Sequence, residues 1–168
     1  MGTTTSLLTF EEFERLPDEP GKLELLDGEL FHVPPAKLKH MQIAELLFQI
    51  LKQTTLAADV HIEMGYKIGR NAWLQPDVSI AHPNQASGEY LEGAPLLAIE
   101  VISDSNSAQF MDRKVKKYMA NGGVEVWLVY PRTQCVWVFR GSHAQEFRGS
   151  LQSEIIPMLK IDLDQLFA

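Results

Sequence analysis

The amino-acid sequence predicts an α/β fold. Segments with helical and strand-like hydrophobic patterns alternate along the chain, the order that builds a sheet covered by helices. Two nearly continuous apolar runs, at 95–102 and 126–129, predict strands that are buried on both faces of such a sheet. An Asp-Gly pair within residues 22–33 separates two short strand-like runs and predicts a β-hairpin near the N-terminus.

The helices are predicted from capping residues and from hydrophobic periodicity. Thr9 and Glu12 form a capping-box pattern, which predicts a short helix at 9–16. Apolar residues recur with the helical repeat in the next helical segment, and a pair of glycines ends the one after it. These further helices are expected at 39–55, at about 106–121, and at the end of the tail that begins at residue 153.

Strand-like regions account for most of the remaining chain. Each is a short apolar run bounded by turn-forming residues. Beyond the hairpin, they are expected at 60–69, 73–81, 95–103, 124–131 and 135–140. Because no internal repeat or long linker divides the chain, we expect one domain that spans residues 1–168.

The composition is that of a globular protein. The chain has 168 residues, of which 45% are hydrophobic and 22% are charged. No apolar run approaches the roughly 20 residues that a membrane-spanning helix needs, so we expect no membrane partner. The N-terminal segment lacks the pattern of a signal peptide, and Cys135 is the only cysteine, which together favour a cytoplasmic location.

The charge distribution leaves a nucleic-acid partner open. The net charge of −7 by itself argues against binding to phosphates. Residues 1–30, however, carry a net charge of −6, so that the other 138 residues are close to neutral. The segment 111–118 runs the other way, with four cations and one anion. The acidity is therefore concentrated near the N-terminus.

Asp77 and Glu100 are the first candidates for a functional site. Each lies within an apolar, strand-like segment, where an unpaired carboxylate would cost several kcal/mol. Consecutive strands usually lie side by side, so the two carboxylates could converge at one end of the sheet. Mg²⁺ prefers such a site, with one or two carboxylates and the remaining positions left to water and phosphate oxygens. The pair thus predicts a metal site for phosphate chemistry.

Lys114 is the third candidate. It lies on the helix that follows Glu100, one turn before Tyr118 and on the same face. A lysine near such a metal site could stabilise the charge on a phosphate or orient the attacking water.

The order of these residues resembles that of the PD-(D/E)XK nuclease superfamily, in which a Pro-Asp pair precedes a glutamate and a lysine. The chain is more closely similar to the Uma-type putative restriction endonuclease family, formerly a domain of unknown function. The resemblance extends from about Leu8 to Phe167. It rests on LELLDGEL at 23–30, PPAKLKH at 34–40, QPDVSI at 75–80, EVISDSN at 100–106, KVKKY at 114–118, VEVWLVYP at 124–131 and IIPMLKIDLDQLF at 155–167.

The resemblance implies a restriction-endonuclease-like core, with a mixed central sheet flanked by helices and an N-terminal β-hairpin. It also implies an Mg²⁺- or Mn²⁺-dependent endonuclease that hydrolyses phosphodiester bonds of DNA. In the simple superfamily motif the lysine stands two residues after the acid, a position that Ile102 holds here. The family resemblance implies a lysine displaced onto the next helix, which Lys114 matches. Glu24 matches an acidic position of the hairpin and is expected to be a further metal ligand or a water-orienting group.

The sequence is also compatible with two other functions. The chain could be a catalytically inactive binding module on the same nuclease fold, with acids that have become structural. It could also be a small-molecule phosphoesterase, since the same metal chemistry would serve a smaller substrate.

Several other residues have structural interpretations. His40 begins a helix and is expected to cap it or to pack as a polar side chain. Lys117 is the next candidate after Lys114 for the lysine that acts on the phosphate. Tyr118 and Trp127, together with Trp137, are interpreted as core or interface aromatics. The aromatic segment 135–140 and the apolar tail offer enough nonpolar surface that we expect a homodimer, the commonest closed assembly.

Overall fold

The chain folds into a mixed α/β structure in the computed structural model, which describes residues 7–17 and 20–168. Within these residues there are four α-helices and three β-sheets. The helices are α1 (Phe10–Glu14), α2 (Leu38–Leu51), α3 (Ala108–Ala120) and α4 (Leu163–Phe167). The single domain expected over 1–168 also includes residues 1–6 and 18–19, which lie outside the described residues.

The strands form a six-stranded, a five-stranded and a two-stranded sheet. In chain order they are β1 (Lys22–Leu26), β2 (Glu29–Val33), β3 (Val60–Ile62), β4 (Tyr66–Lys67), β5 (Trp73–Leu74), β6 (Val78–Ile80), β7 (Leu91–Glu92), β8 (Leu97–Val101), β9 (Glu125–Tyr130), β10 (Cys135–Arg140), β11 (His143–Phe147), β12 (Ser150–Gln152) and β13 (Lys160–Asp162). The six-stranded sheet has the order β11-β10-β9-β8-β6-β3, and the five-stranded sheet has the order β2-β1-β5-β4-β7. In the six-stranded sheet β8 and β9 are parallel and the other neighbours are antiparallel, so the sheet is mixed.

Helices cover both faces of the six-stranded sheet. Side chains alternate along β8, because successive residues of a strand point to opposite faces. Ile99 packs in a cluster with Leu47 of α2, whereas Ala98 packs in a second cluster with Tyr118 of α3. The prediction of strands buried on both faces is therefore confirmed. Glu100 alternates with Ile99 and so falls on the α3 side.

The N-terminal hairpin and the capped first helix are confirmed. Asp27 and Gly28 both have positive φ angles, 53° and 84°, as the tight turn between β1 and β2 requires. A side chain at position 28 would also collide with Leu7, because an added Cβ atom would lie only 2.8 Å from the Cβ of Leu7. Thr9 and Glu12 form the expected capping box of α1. The hairpin matters for the site because β1 carries Glu24.

Two segments are divided between sheets, which corrects the prediction of one strand at 60–69 and one at 73–81. β3 and β6 belong to the six-stranded sheet, whereas β4 and β5 belong to the five-stranded sheet. Glu63 adopts a left-handed conformation with φ of 48° after β3, and Pro76 has no N–H to donate to a strand ladder. The chain therefore changes sheet at each point. The second break places Asp77 directly before β6.

The C-terminal part contains elements that hydrophobic patterns did not predict. β11 and β12 are short and mostly polar, and β11 is an exposed edge strand, so neither has a clear apolar alternation. The segment after β12 is tied to the main sheet by the fully buried Glu125, which pairs with Arg140 and accepts a hydrogen bond from Ser153. The helix α2 ends at Leu51 rather than at residue 55.

In the described part of the chain, the helices are all too short or too polar to cross a membrane.

Candidate active site

All four residues predicted to form the site line one cleft of about 570 Å³. Asp77 lies before β6 and Glu100 lies in β8, while Glu24 and Lys114 come from β1 and α3. His40, in the first turn of α2, lines the same cleft. The site is therefore assembled from both large sheets and from two helices.

Asp77 and Glu100 are neighbours across two paired strands. In the antiparallel register of β6 and β8, Val78 is opposite Ile99, and one further step along the chain places Asp77 opposite Glu100. Asp77 Oδ2 accepts a hydrogen bond of 2.7 Å from the backbone N–H of Val101. Both acids are more than nine-tenths buried. The structure thus brings together the two carboxylates at the edge of the cleft.

Lys114 lies between Glu100 and Glu24. Its Nζ is 2.7 Å from Glu100 Oε1, and it donates to both carboxylate oxygens of Glu24 at 3.0 and 3.1 Å. Only 3% of the lysine is exposed. Lys117, the alternative candidate, instead pairs with Asp27 at 2.9 Å. It is therefore Lys114 whose ammonium reaches the carboxylates.

Glu24 connects Lys114 to the segment that precedes Asp77. Besides Lys114, Glu24 Oε1 accepts a hydrogen bond of 2.9 Å from the backbone N–H of Gln75. The side chain is 1% exposed. Both of its oxygens are engaged in these contacts, so Glu24 is placed to hold the ammonium of Lys114.

His40 belongs to the site, which the sequence did not favour. Its Nε2 lies 3.0 Å from Asp77 Oδ1. The expected capping role is wrong, because Lys37 is the N-cap residue of α2. The other ring nitrogen, Nδ1, is buried without a hydrogen-bond partner among the described residues. The sequence signal for His40 was weak, since a lone histidine at the start of a helix usually has a structural role.

Tyr118 and Lys22 complete the polar contacts around the acids. The Tyr118 hydroxyl donates to Glu100 Oε1 at 2.9 Å, so this residue is more than the core aromatic that the sequence suggested. Its spacing of four residues from Lys114 was the available signal. Lys22 Nζ donates to the backbone carbonyl of Gln75 at 2.6 Å and lines the cleft. No local pattern distinguishes Lys22 from an ordinary surface lysine.

The surroundings drive the pKa values of the two acids apart. Burial raises the pKa of Glu100 to about 7, although Lys114 opposes this, and the charges of Glu24 and Asp77 raise it further. Burial also acts to raise the pKa of Asp77, but the hydrogen bond and charge of His40 prevail and lower it. Repulsion between two neighbouring carboxylates raises the pKa of one of them, but for Glu100 the largest cause is burial rather than the charge of Asp77.

His40 and Lys114, the basic side chains that contact the acids, both have raised pKa values. Burial opposes the charged form of His40, but the hydrogen bond and charge of Asp77 outweigh it and raise the pKa. Burial likewise opposes the charged form of Lys114, and the charges of Glu100 and Glu24 reverse the effect and raise its pKa. Lys114 is therefore a cation at neutral pH and has no lone pair with which to act as a base.

The donor set fits a hard divalent cation with few protein ligands. Across residues 7–17 and 20–168, no group of three or more His, Cys, Asp or Glu side chains is placed to hold a metal ion. Asp77 and Glu100 supply two carboxylates, and Mg²⁺ commonly takes its remaining ligands from water and substrate. Glu100 Oε2 accepts no hydrogen bond within the described part of the chain and belongs to a residue that lines the cleft. That oxygen is available for coordination.

Comparisons with known proteins agree with the fold and show the family. Residues 10–164 match the Uma2 family, described as "Putative restriction endonuclease". The crystal structure of a putative nuclease belonging to DUF820 from Anabaena variabilis ATCC 29413 superposes with a TM-score of 0.83 at 21% sequence identity. The likeness covers 95% of this chain and 97% of that chain, and at this identity it shows the fold alone. No curated protein matches the sequence.

The raised pKa of Glu100 has a consequence for the stability of the metal-free protein. Between its ordinary pKa of 4.5 and about 7, folded Glu100 holds a proton that the unfolded chain releases. The free energy of unfolding should therefore decrease as the pH rises through this window. Glu100→Gln should make that decrease smaller, as measured by urea denaturation in EDTA at several pH values. Below the ordinary His40 pKa of 6.5, the comparison isolates Glu100 from the titration of His40. An unchanged slope in Glu100→Gln would contradict the assignment.

Proposed function

This chain belongs to the Uma2 family, described as "Putative restriction endonuclease", and on that premise we propose that it is a metal-dependent endonuclease that hydrolyses phosphodiester bonds of DNA. The observation that carries the proposal is the placement of Asp77 opposite Glu100, with the ammonium of Lys114 2.7 Å from Glu100, in one cleft. Two carboxylates that can hold a metal ion and a fixed cation beside them are groups that suit metal-dependent phosphodiester hydrolysis at neutral pH.

Asp77 and Glu100 would hold Mg²⁺ or Mn²⁺. When bound, such a cation lowers the pKa of a coordinated water and offsets the negative charge of the phosphate. His40 keeps Asp77 in its ionised form, since the two are 3.0 Å apart and His40 lowers the pKa of the acid. The N–H of Val101 holds the other oxygen of Asp77 in place. Asp77 is therefore oriented and charged before any ligand arrives.

Lys114 would act on the phosphate or on the attacking water through its charge. Both carboxylate oxygens of Glu24 accept hydrogen bonds from the ammonium, so the lysine is positioned in advance. Because the pKa of Lys114 is raised by its carboxylate partners, the lysine donates hydrogen bonds and does not accept a proton. Removal of a proton from water then falls to a group other than Lys114.

The first experiment tests the two proposed metal ligands. Adding Mn²⁺ should raise the melting temperature of the wild-type protein, by an amount that follows RT ln(1 + [L]/Kd). Asp77→Asn and Glu100→Gln should each abolish this shift and any DNA cleavage, while the protein still folds. Asp104→Asn is the matched control, because Asp104 lines the same cleft but has a side chain that is 74% exposed. Thermal melts with and without Mn²⁺ give the result.

Three outcomes would redirect this assignment. If either acid variant keeps the full Mn²⁺ shift, that residue is not a ligand. If the wild-type protein binds no Mn²⁺ in calorimetry, the inactive binding module replaces the nuclease. If metal binds but the affinity for DNA does not fall as salt rises, a small-molecule phosphoesterase is favoured.

A second experiment tests Lys114. Lys114→Met should lower cleavage by about 10² or more, the scale of losing one electrostatic stabiliser. It should also lower the melting temperature, because two buried carboxylates lose their cation. Adding Glu24→Gln to that variant should recover part of the stability without recovering cleavage. Lys117→Met is the control and should cleave as the wild type does. Full cleavage by Lys114→Met would refute the role.

We also propose that the protein is a homodimer. In the aromatic segment 135–140 Trp137 is 36% exposed, and in the apolar tail Met158 is 96% exposed. The other apolar residues of these two segments are largely covered. Light scattering at micromolar concentration should give a mass near twice the 19.0 kDa of one chain. A mass near 19.0 kDa would contradict the dimer.

A further inference from the structure

A second pocket of about 510 Å³ adjoins the active-site cleft. The two share a wall formed by Gly21, Lys22 and Glu63. Phe110 contributes a ring to the cleft, whereas this pocket is lined by four aromatic residues: Phe10 and Phe13 of α1, Trp73 of β5 and Tyr90. We call it the aromatic pocket.

The rings of the aromatic pocket are held in a fixed arrangement. Tyr90 meets Trp73 edge to face, with ring centres 4.7 Å apart and an angle of 75° between the planes. Phe10 packs 5.5 Å from Trp73 on the inner side. The indole lies against the backbone of Gly65, where an added Cβ would come within 2.0 Å of the ring. Any side chain at position 65 would therefore collide with the indole, so the position of Trp73 depends on Gly65.

The packing of α1 against the sheet explains the burial of the Phe10 ring, but it does not explain why the other three rings border open space. Phe10 is 4% exposed, as expected of a residue that anchors a helix. Phe13, Trp73 and Tyr90 are only half-buried and border open space. Large aromatic side chains left in this state present flat surfaces on which a planar ligand can stack.

The aromatic pocket lies within a few nucleotides of the candidate metal ligands. Trp73 precedes Asp77 by four residues, so their Cα atoms are at most about 14 Å apart. That span corresponds to about four nucleotides of stacked strand at most. Lys22 stands on the wall between the two sites, with its Nζ bonded to the carbonyl of Gln75. Its charge is placed to meet a phosphate that passes from one site to the other.

The charge of the aromatic pocket favours a base over a phosphate inside it. Its lining includes the carboxylates of Glu14 and Glu63, against the single ammonium of Lys22 on the shared wall. Carboxylates repel phosphate but accept hydrogen bonds from the N–H groups of bases, which include the N3–H of an unpaired thymine. The side chain of Gln75 lines the same pocket.

We propose that the aromatic pocket binds an unpaired nucleobase of the strand whose phosphodiester bond lies in the active-site cleft. The inference rests on the proposed nuclease function and narrows its substrate to single-stranded or locally unpaired nucleic acid. A base inside a duplex is stacked on both faces and cannot enter such a pocket without leaving the helix.

The test measures binding without metal, so that no cleavage occurs. In EDTA, the affinity of the protein for an oligothymidylate of about ten nucleotides is compared with that for an abasic strand of the same length and charge. The oligothymidylate should bind about fivefold or more tightly, the lower end of what stacking of one base contributes. Tyr90→Leu should remove most of that preference, and Tyr90→Phe, which keeps the ring, should retain it. Phe48→Leu is the matched control, since Phe48 is a half-buried aromatic that lines neither site.

Each outcome bears on the proposal. Equal affinity for the two strands, or an unchanged preference in a folded Tyr90→Leu protein, overturns it. If Tyr90→Leu does not fold, Phe13→Leu is measured in the same way, and loss of the preference there supports the pocket. Cleavage of DNA with Mn²⁺ is scored separately: cleavage without base preference refutes only the aromatic pocket, whereas base preference without cleavage supports the pocket and refutes the nuclease.

Discussion

The ammonium of Lys114, buried between Glu24 and Glu100, is the interaction on which the rest of the site depends. It joins α3 to β1 of the five-stranded sheet and to β8 of the six-stranded sheet. A buried carboxylate or ammonium without a partner costs several kcal/mol, so each of these three charges requires the others. Apolar packing alone would permit small shifts between the sheets and the helix, whereas this contact holds them to hydrogen-bonding distance. The cleft lies beside this contact, since all three of its residues line the cleft.

The ionised side chains of the site carry a net negative charge, which a bound cation would offset. Asp77 is matched by His40, and Lys114 is shared by two carboxylates, so one negative charge is left over when all groups are ionised. The pKa of Glu100 is raised to about 7 because the acid is buried and because Glu24 and Asp77 add negative charge beside it. A divalent cation bound at Asp77 and Glu100 would reverse the sign of the local charge. The excess of negative charge would therefore favour a bound divalent cation, and the bound cation would in turn favour a phosphate beside it.

The segment 73–77 connects the two pockets. Its first residue, Trp73, lines the aromatic pocket, and its last, Asp77, lines the cleft. The backbone between them is held from two sides, because Glu24 accepts from the N–H of Gln75 and Lys22 donates to its carbonyl. A nucleic-acid strand bound along this segment would contact the ring of Trp73 at one end and the carboxylate of Asp77 at the other. The break in the predicted strand at Pro76 is what allows one short segment to serve both sheets.

The sequence by itself determined the fold class, the N-terminal hairpin, the capped first helix and the candidate acids. These follow from local signals: the Asp27-Gly28 turn, the Thr9 capping box, and carboxylates set into apolar runs. The tertiary structure alone decided the partners. Glu24 and Lys114 are 90 residues apart, and their contact depends on how the hairpin lies against α3. His40, Lys22 and Tyr118 join the site for the same reason. Hydrophobic periodicity reports whether a position is buried, but strand register and helix rotation decide what it touches.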